Sequence, residues 1–300
     1  MSRGRDKRPT SGEVSSALET RAFGVVGEEE LERLAGPAAS PRARRDVTLA
    51  LLASGLCPRR YLRNVEVVGL EGQARLLKAR VGVAGVGGLG GTVVELLARA
   101  GVGELVLVDQ DVASEDNLNR QVLVTTAALG RPKVELATAR VAEVNPAVSV
   151  RPNRVRGDRQ TFTELFRGVD VAVDALDNVT GRLALQEATR ALGVPLVHGA
   201  IAGLTGQVTT VFPQDPGLEV LYGMGGGLHD PAAGGYADGP GGGTRPGEAP
   251  PPGSLSATAA LVASAQAQEV LKLVTGTGRP LRGRLLVLDS LSPYAAIVDL

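Results

Sequence analysis

The chain has 300 residues, 43% of them hydrophobic, and its 32 basic and 32 acidic residues give a formal net charge of +0. That is enough for one large α/β domain or two smaller ones, and a neutral chain has no overall field to draw it to nucleic acid or an anionic membrane. Aromatics are only 3%, a poor toolkit for stacking bases, and the single cysteine, Cys57, excludes an intramolecular disulfide and a cysteine-rich zinc site. No apolar run approaches the length of a membrane span and residues 1–24 hold no signal-peptide core, so a cytoplasmic protein is expected.

Residues 1–22 are polar and charged, the composition of a disordered tail. "GEEELERLAG" and "SPRARRDVTLALLASGLC" predict two short helices, the second capped by Ser40, entered at Pro41 and ended by Gly55. They form an N-terminal helical extension over residues 1–57, with Cys57 a partly buried side chain at a helix end. From Leu76 apolar strands alternate with helices: "ARVGVAG", "GELVLVD", "SVRP", "VDVAVDAL" and "VPLVHGAI" are strands. The helices between them are "GGTVVELLARAG", "RPKVELATARVAEVNP", "TFTELFRG" and "TGRLALQEATRALG". Such alternation demands right-handed crossovers and a mostly parallel sheet covered on both faces. "GQVTTVF" adds a strand after a short glycine turn, which suits an antiparallel partner. Residues 213–253, dense in Gly and Pro, predict a long mobile loop containing His229. An Ala-rich helix capped by Ser254 and closed by Gly276 follows, then two final strands. The expected fold is a Rossmann-like three-layer α/β/α domain over residues 58–300, with a mixed, mostly parallel sheet.

The first strand runs into "VGVAGVGGLGG", in which Gly85, Gly87 and Gly90 fit G-x-G-x-x-G. Gly85 makes the turn, Gly87 and Gly88 let phosphate approach the backbone, and Gly90 lets helix and strand pack. Asp109, ending the second strand, is placed to accept hydrogen bonds from a ribose. This much fits NAD, FAD or ATP. No G-x-x-x-x-G-K-[ST] is present, which excludes a P-loop enzyme. The stretch "DQDVASEDNLNRQ" separates the rest, because hydride transfer has no need of it. Arg120 offers a guanidinium fork for phosphate oxygens, Asn117 can hold ribose or phosphate, and Lys133 adds a cation at a helix start. Asp177, beside Asn178 at the carboxyl end of a strand, can hold Mg²⁺ against phosphates. His198, inside an apolar strand, is expected to be a hydrogen-bonded core histidine.

These motifs, with "VNP" at 144–146, "DN" at 177–178 and "GQVTTVF", stand in an order and spacing that resembles the ThiF/MoeB/HesA proteins, bacterial relatives of ubiquitin-activating enzymes. The resemblance runs over about residues 60–212 and 254–288. It implies binding of Mg–ATP and transfer of AMP to the C-terminal glycine carboxylate of a ubiquitin-fold sulfur carrier ending in Gly-Gly, with release of pyrophosphate. Gly88 matches a glycine lying against the nucleotide, Asp109 the ribose ligand and Asp111 the acid two residues on. Asn117 and Arg120 match the phosphate-contacting pair, Lys133 the phosphate lysine, and Asp177 the magnesium-linked aspartate. "RYLRN" resembles an element whose second arginine, here Arg63, reaches the partner subunit's site in a homodimer. Two features depart from the family: both C-x-x-C pairs that hold structural zinc in many relatives are missing, so no zinc is expected, and residues 213–253 lack the cysteine many relatives use for a covalent step. Alternatives from the same superfamily are a tRNA threonylcarbamoyladenosine dehydratase, a peptide-modifying adenylase and a non-catalytic subunit. The absence of a basic patch weighs against the first, and retention of the arginine, lysine and aspartate weighs against the last.

Overall fold

The computed structural model describes residues 23–222, 253–292 and 294–300. At its N-terminal end, β1 (Gly24–Val26) pairs in parallel with β2 (Leu56–Pro58) around two helices, α1 (Glu28–Ala35) and α2 (Pro41–Ala53). The Ser40 hydroxyl accepts from the Ala43 N–H at 3.2 Å and Pro41 occupies the first turn, as the sequence requires. Cys57 differs from expectation. It lies in β2 rather than at a helix end and is fully buried with Leu52, Tyr61, Val65 and Leu77. A helix not read from the sequence, α3 (Leu62–Lys78), follows, packs against the helix at residues 256–275 and leads into the main sheet. It is kinked at Gly69, whose φ of 71° and ψ of 172° interrupt the helical ladder.

The main sheet has eight strands: β3 (Arg80–Ala84), β4 (Glu104–Val108), β5 (Ser149–Asn153), β6 (Val171–Asp174), β7 (Leu196–Ala202), β8 (Thr205–Val211), β9 (Arg284–Asp289) and β10 (Tyr294–Asp299). Their spatial order is β10-β9-β8-β7-β6-β3-β4-β5. β5, β4, β3, β6 and β7 run parallel, and β8, β9 and β10 continue antiparallel. The parallel part is covered because alternate residues of each strand face opposite layers. Val81, Val83, Leu105, Leu107, Val171 and Val173 pack with α4 (Gly88–Ala100), α5 (Lys133–Val144) and α9 (Ser256–Thr275). Ala84, Val106, Val108 and Ala172 pack on the other side with Phe162, Phe166, Leu185 and Leu221. These come from α6 (Arg159–Leu165) and its C-cap, α7 (Val179–Leu192) and α8 (Glu219–Tyr222). The result is the expected three-layer α/β/α domain.

Two further expectations are corrected. Residues 219–222 form a helical turn within the stretch read as loop, because Leu218 and Leu221 bury against the sheet; four residues are too few to show a period. The rest of that stretch, residues 223–252 with His229, lies outside the described residues, as do residues 1–22. Ser254 does not cap α9: the N-cap is Leu255, and the Ser254 carbonyl instead accepts from the Asn119 amide at 3.1 Å. Among the described residues no helix is long and apolar enough to cross a membrane.

Candidate functional site

The chain places β3 at the centre of the parallel strands, with β4 and β5 built outward on one side and β6 and β7 on the other. Loops leaving β3 and β6 therefore diverge, and a crevice opens beyond their carboxyl ends. Ala84 is level with Val108 on one side and Asp174 on the other, so the segments starting at Gly85, Asp109 and Ala175 emerge together. Hydrogen bonds from the Gly85 N–H to Val108 O and from the Ala175 N–H to Ala84 O, both 2.9 Å, hold them level.

The glycine turn has a definite division of labour. Gly85 has φ +86° and lies so close to the Ala175 carbonyl that a Cβ would come within 2.6 Å of its oxygen. A Cβ at Gly90 would meet the Gly85 oxygen at 1.9 Å, so this glycine lets α4 start against the turn. Gly87 and Gly88 are different: a Cβ there would make only ordinary contacts of 3.5 Å or more, to Gln121, Arg120 and Ala259. Gly87 is the N-cap of α4 and carries no capping side chain, which leaves the first N–H groups of that helix facing the crevice mouth.

Asp109 anchors the turn from the neighbouring strand. Its carboxylate accepts from the Val86 N–H at 2.7 Å and the Asp111 N–H at 2.8 Å. Burial pushes its carboxyl above the ordinary aspartate range, while the Lys133 ammonium and those two N–H groups pull the other way. Lys133, the first residue of α5, is buried and bonds Asp111 at 2.9 Å. Between them the "EDNLNRQ" segment folds as a short 3₁₀ turn in which Asn117 is buried and its side-chain oxygen accepts from the Ser114 N–H. Arg120 bends back to the Asp116 carbonyl and the Asn119 amide oxygen, both at 2.8 Å. The Asp116 carboxyl is held below its usual range, first by the Ser114 hydroxyl and also by the positive charges of Arg120 and Lys133. Those two cations thus share one neighbourhood.

Asp177 and Asn178 stand across the switch point. Asp177 is exposed, and its carboxylate accepts from the Asn178 amide at 3.1 Å. Asn178 is the N-cap of α7, with its side-chain oxygen accepting from the Gly181 N–H at 2.8 Å. The turn from Ala175 to Asp177 leans on Gly85, so the structure brings the glycine turn, Asp109, Asp111, Asn117, Arg120, Lys133, Asp177 and Asn178 to one end of the sheet. Arg63 is not brought there. It sits in the first turn of α3, its side chain 88% exposed and paired with Glu66. His198 is a hydrogen-bonded core histidine, as expected, its ring between Asp174 at 2.7 Å and the Tyr222 hydroxyl at 3.0 Å.

A nucleotide phosphate suits this set: an uncapped helix start, a cradle with room at Gly87 and Gly88, and two cations. Gln121 adds a buried acceptor, which suits a hydroxyl or amino donor of a nucleotide rather than its phosphate oxygens. Gln121 is buried beside Gly87 with an amide oxygen that has no hydrogen-bond partner. The sequence placed Gln121 in the motif without a role; only burial reveals it. For a divalent cation the donor set is one exposed carboxylate, Asp177, and no cluster of three metal-ligating side chains occurs among the described residues. That suits Mg²⁺, which is commonly held by one or two carboxylates plus substrate phosphates.

Comparison with known proteins agrees with this geometry. The pattern of the ThiF family matches residues 60–297. The SAMP-activating enzyme E1 of Haloferax volcanii is 41% identical over 247 residues, spanning 82% of this chain and 85% of that protein. The sulfur carrier protein adenylyltransferase of Thermus thermophilus is 38% identical, over 77% of this chain and 83% of the relative. The molybdopterin-synthase adenylyltransferase of Salmonella typhimurium is 34% identical, over 78% and 88%. Among solved structures, E. coli MccB with ATP superposes with a TM-score of 0.67 at 20% identity, covering 80% of this chain and 71% of that one. PaaA gives 0.66 at 22%, covering 80% and 82%.

Proposed function

The chain belongs to the ThiF family, and from that premise we propose that it is an ATP-dependent adenylyltransferase that activates the C-terminal carboxylate of a ubiquitin-fold sulfur carrier ending in Gly-Gly. The single observation that carries this reading is the pairing of Arg120 and Lys133 beside the open glycine cradle at the switch point. A hydride-transfer site has no use for two cations there, whereas attack at phosphorus does.

In the reaction a carboxylate oxygen of the carrier forms a bond to the α-phosphorus of ATP. The bond from that phosphorus to the bridging oxygen breaks, and pyrophosphate leaves with the electron pair. The N–H groups at the start of α4 receive phosphate oxygens, with Gly87 and Gly88 giving them room. Asp109 holds a ribose hydroxyl. Asp111 keeps Lys133 in place, and Lys133 and Arg120 stabilise negative charge gathering on the phosphates. Asp177 would hold Mg²⁺, which when bound neutralises phosphate charge. The missing C-x-x-C pairs support a fold that needs no zinc, and the buried Cys57, its thiol pushed up by burial, supports chemistry without a protein thiol. A homodimer, with Arg63 supplied across the interface, follows from the family resemblance.

The test is pyrophosphate exchange with candidate carriers ending in Gly-Gly, together with calorimetry for ATP and NAD. Exchange dependent on carrier and Mg²⁺ is expected, with ATP bound and NAD not. Asp177→Ala should abolish exchange without unfolding the protein, since an exposed side chain is removed. Tight NAD binding with weak ATP binding would overturn the reading.

A further inference from the structure

The Asp177 turn is held from below by a closed circuit of hydrogen bonds that adenylation chemistry does not itself require. The Leu176 N–H donates to Asp174 Oδ1 at 3.0 Å. Asp174 Oδ2 meets His198 Nδ1 at 2.7 Å, and His198 Nε2 meets the Tyr222 hydroxyl at 3.0 Å. Arg182 Nη1 donates to that hydroxyl at 2.6 Å, and Arg182 Nη2 donates to the Leu176 carbonyl at 2.8 Å, which closes the circuit. Both peptide groups flanking the Leu176 Cα are therefore fixed, and the second leads directly into Asp177.

One arrangement of protons satisfies every contact of the circuit. The Tyr222 oxygen has two lone pairs and one proton. Arg182 donates to it, and Gln207 Nε2 donates to it at 3.1 Å. With the Tyr222 proton given to His198 Nε2, the imidazole carries its hydrogen on Nδ1 and gives it to Asp174. Arg182 donates to both of its neighbours in the circuit and Asp174 accepts from both of its own. Asp174, His198 and Arg182 are 0%, 0% and 2% exposed, so a gap in the circuit could not be repaired by bulk water. Ring contacts reinforce it: His198 meets Tyr222 edge-on at 5.7 Å and the Arg182 guanidinium lies 5.6 Å from the Tyr222 ring centre.

Three of the circuit's side chains come from the sheet and α7, which are rigid. The fourth, Tyr222, comes from the four-residue α8 that precedes residues 223–252. We propose that Tyr222 is a positioning residue for Asp177: its hydroxyl closes the circuit that fixes the Leu176 peptides and so holds the Asp177 carboxylate toward the phosphate site. This rests on the role of Asp177 proposed above.

Tyr222→Phe removes one oxygen and leaves the ring. Two readouts test it. In the protein without ligand, amide exchange over residues 175–177 should accelerate about tenfold or more, because the Leu176 N–H loses a braced acceptor. Calorimetry of ATP binding in Mg²⁺ and in chelator should show the Mg²⁺-dependent gain in affinity weakened by about tenfold, the usual scale for removing a support behind a metal ligand. Binding of ATP in chelator should be unchanged. Asp177→Asn is the control: it should remove the same Mg²⁺-dependent gain while leaving the exchange of Leu176 slow. If Asp177→Asn removes the gain but Tyr222→Phe keeps it, the positioning role is overturned and the function stands. If Asp177→Asn keeps the gain, Asp177 is not the metal-linked group, and the positioning role falls with it. Equal loss with and without Mg²⁺, accompanied by a lowered Tm, would reduce Tyr222 to a packing residue and overturn the proposal. Should Tyr222→Phe not fold, Arg182→Lys serves instead. It keeps the charge but cannot bridge Tyr222 and Leu176 at once, and the same outcomes apply.

Discussion

A single methyl group separates the roles of two glycines in one turn. Gly90→Ala drives a Cβ into the Gly85 carbonyl, a backbone atom that cannot rotate away. The variant should lose about 1–3 kcal/mol, the cost of overpacking a rigid site, read as a lower urea midpoint. Gly88→Ala meets nothing closer than 3.5 Å, so its midpoint should hold. Its methyl instead fills the cradle, so the KM for ATP should rise. Equal effects of the two substitutions on stability would contradict this division. Asp109 adds a pH signature. Its folded carboxyl titrates above the ordinary value of 3.8 because burial disfavours the charge. The folded state therefore binds the proton more tightly than the unfolded chain, and stability is lost as pH rises from about 3.8 through the folded pKa. Carboxyls held low, such as Asp116 and Asp215, act in the opposite sense, so the signature is the difference between wild-type and Asp109→Asn urea midpoints, which should fall as pH rises through this range. At this scale the phosphate set was legible, because Asp109, Arg120 and Lys133 keep fixed offsets from the glycine turn. The circuit behind Asp177 was not: Asp174, His198 and Tyr222 are each 24 residues apart along the chain, and no spacing rule joins residues that meet only through tertiary packing.

Among the elements, α3 is the one that local pattern hid. Its seventeen residues include Gly69 and Gly72, which break the apolar stripe, and Gly69 adopts a backbone conformation almost reserved for glycine. Gly69→Ala should cost about 1–3 kcal/mol although nothing crowds its Cβ, because the strain lies in φ and ψ rather than in contacts. A thermal scan showing no change would mean the kink straightens without penalty. The helix α8 escaped for a different reason, being a single turn whose burial depends on Leu218 and Leu221 finding the far sheet face. The long helices were legible because each shows its period, and α4, α7 and α9 are closed by a glycine in the left-handed region at Gly101, Gly193 and Gly276, whereas α5 ends at an extended Asn145.

For the whole molecule, the alternation of strands and helices dictated a parallel sheet, and the glycine turn and the Asp177 turn had to meet at the one place where strand order reverses. Assembly beyond the single chain belongs to the same scale. Arg63 is exposed and engaged only with Glu66 among the contacts described, far in character from the buried phosphate set. If it completes the partner's site across a two-fold axis, mixing Arg63→Ala with Asp177→Ala after reversible dissociation should restore exchange. The mixed dimer has one intact site of two, so it should reach up to roughly half of wild-type activity. Confirmed subunit exchange without recovery would place Arg63 in its own chain's site or in the fold alone. The position of α9 has a consequence for biosynthesis. Every residue assigned to the nucleotide lies before residue 179, yet α9, from residue 256 onward, covers the sheet beside α4, β7 and β8. Ala259 sits against Gly88, and Asn119 is tied to Ser254. A nascent chain leaving the ribosome therefore carries its complete phosphate motif long before it owns the helix that seals it. Until that helix emerges, the apolar face that Val262, Ala263 and Val270 cover stays open, a surface of the kind chaperones recognise.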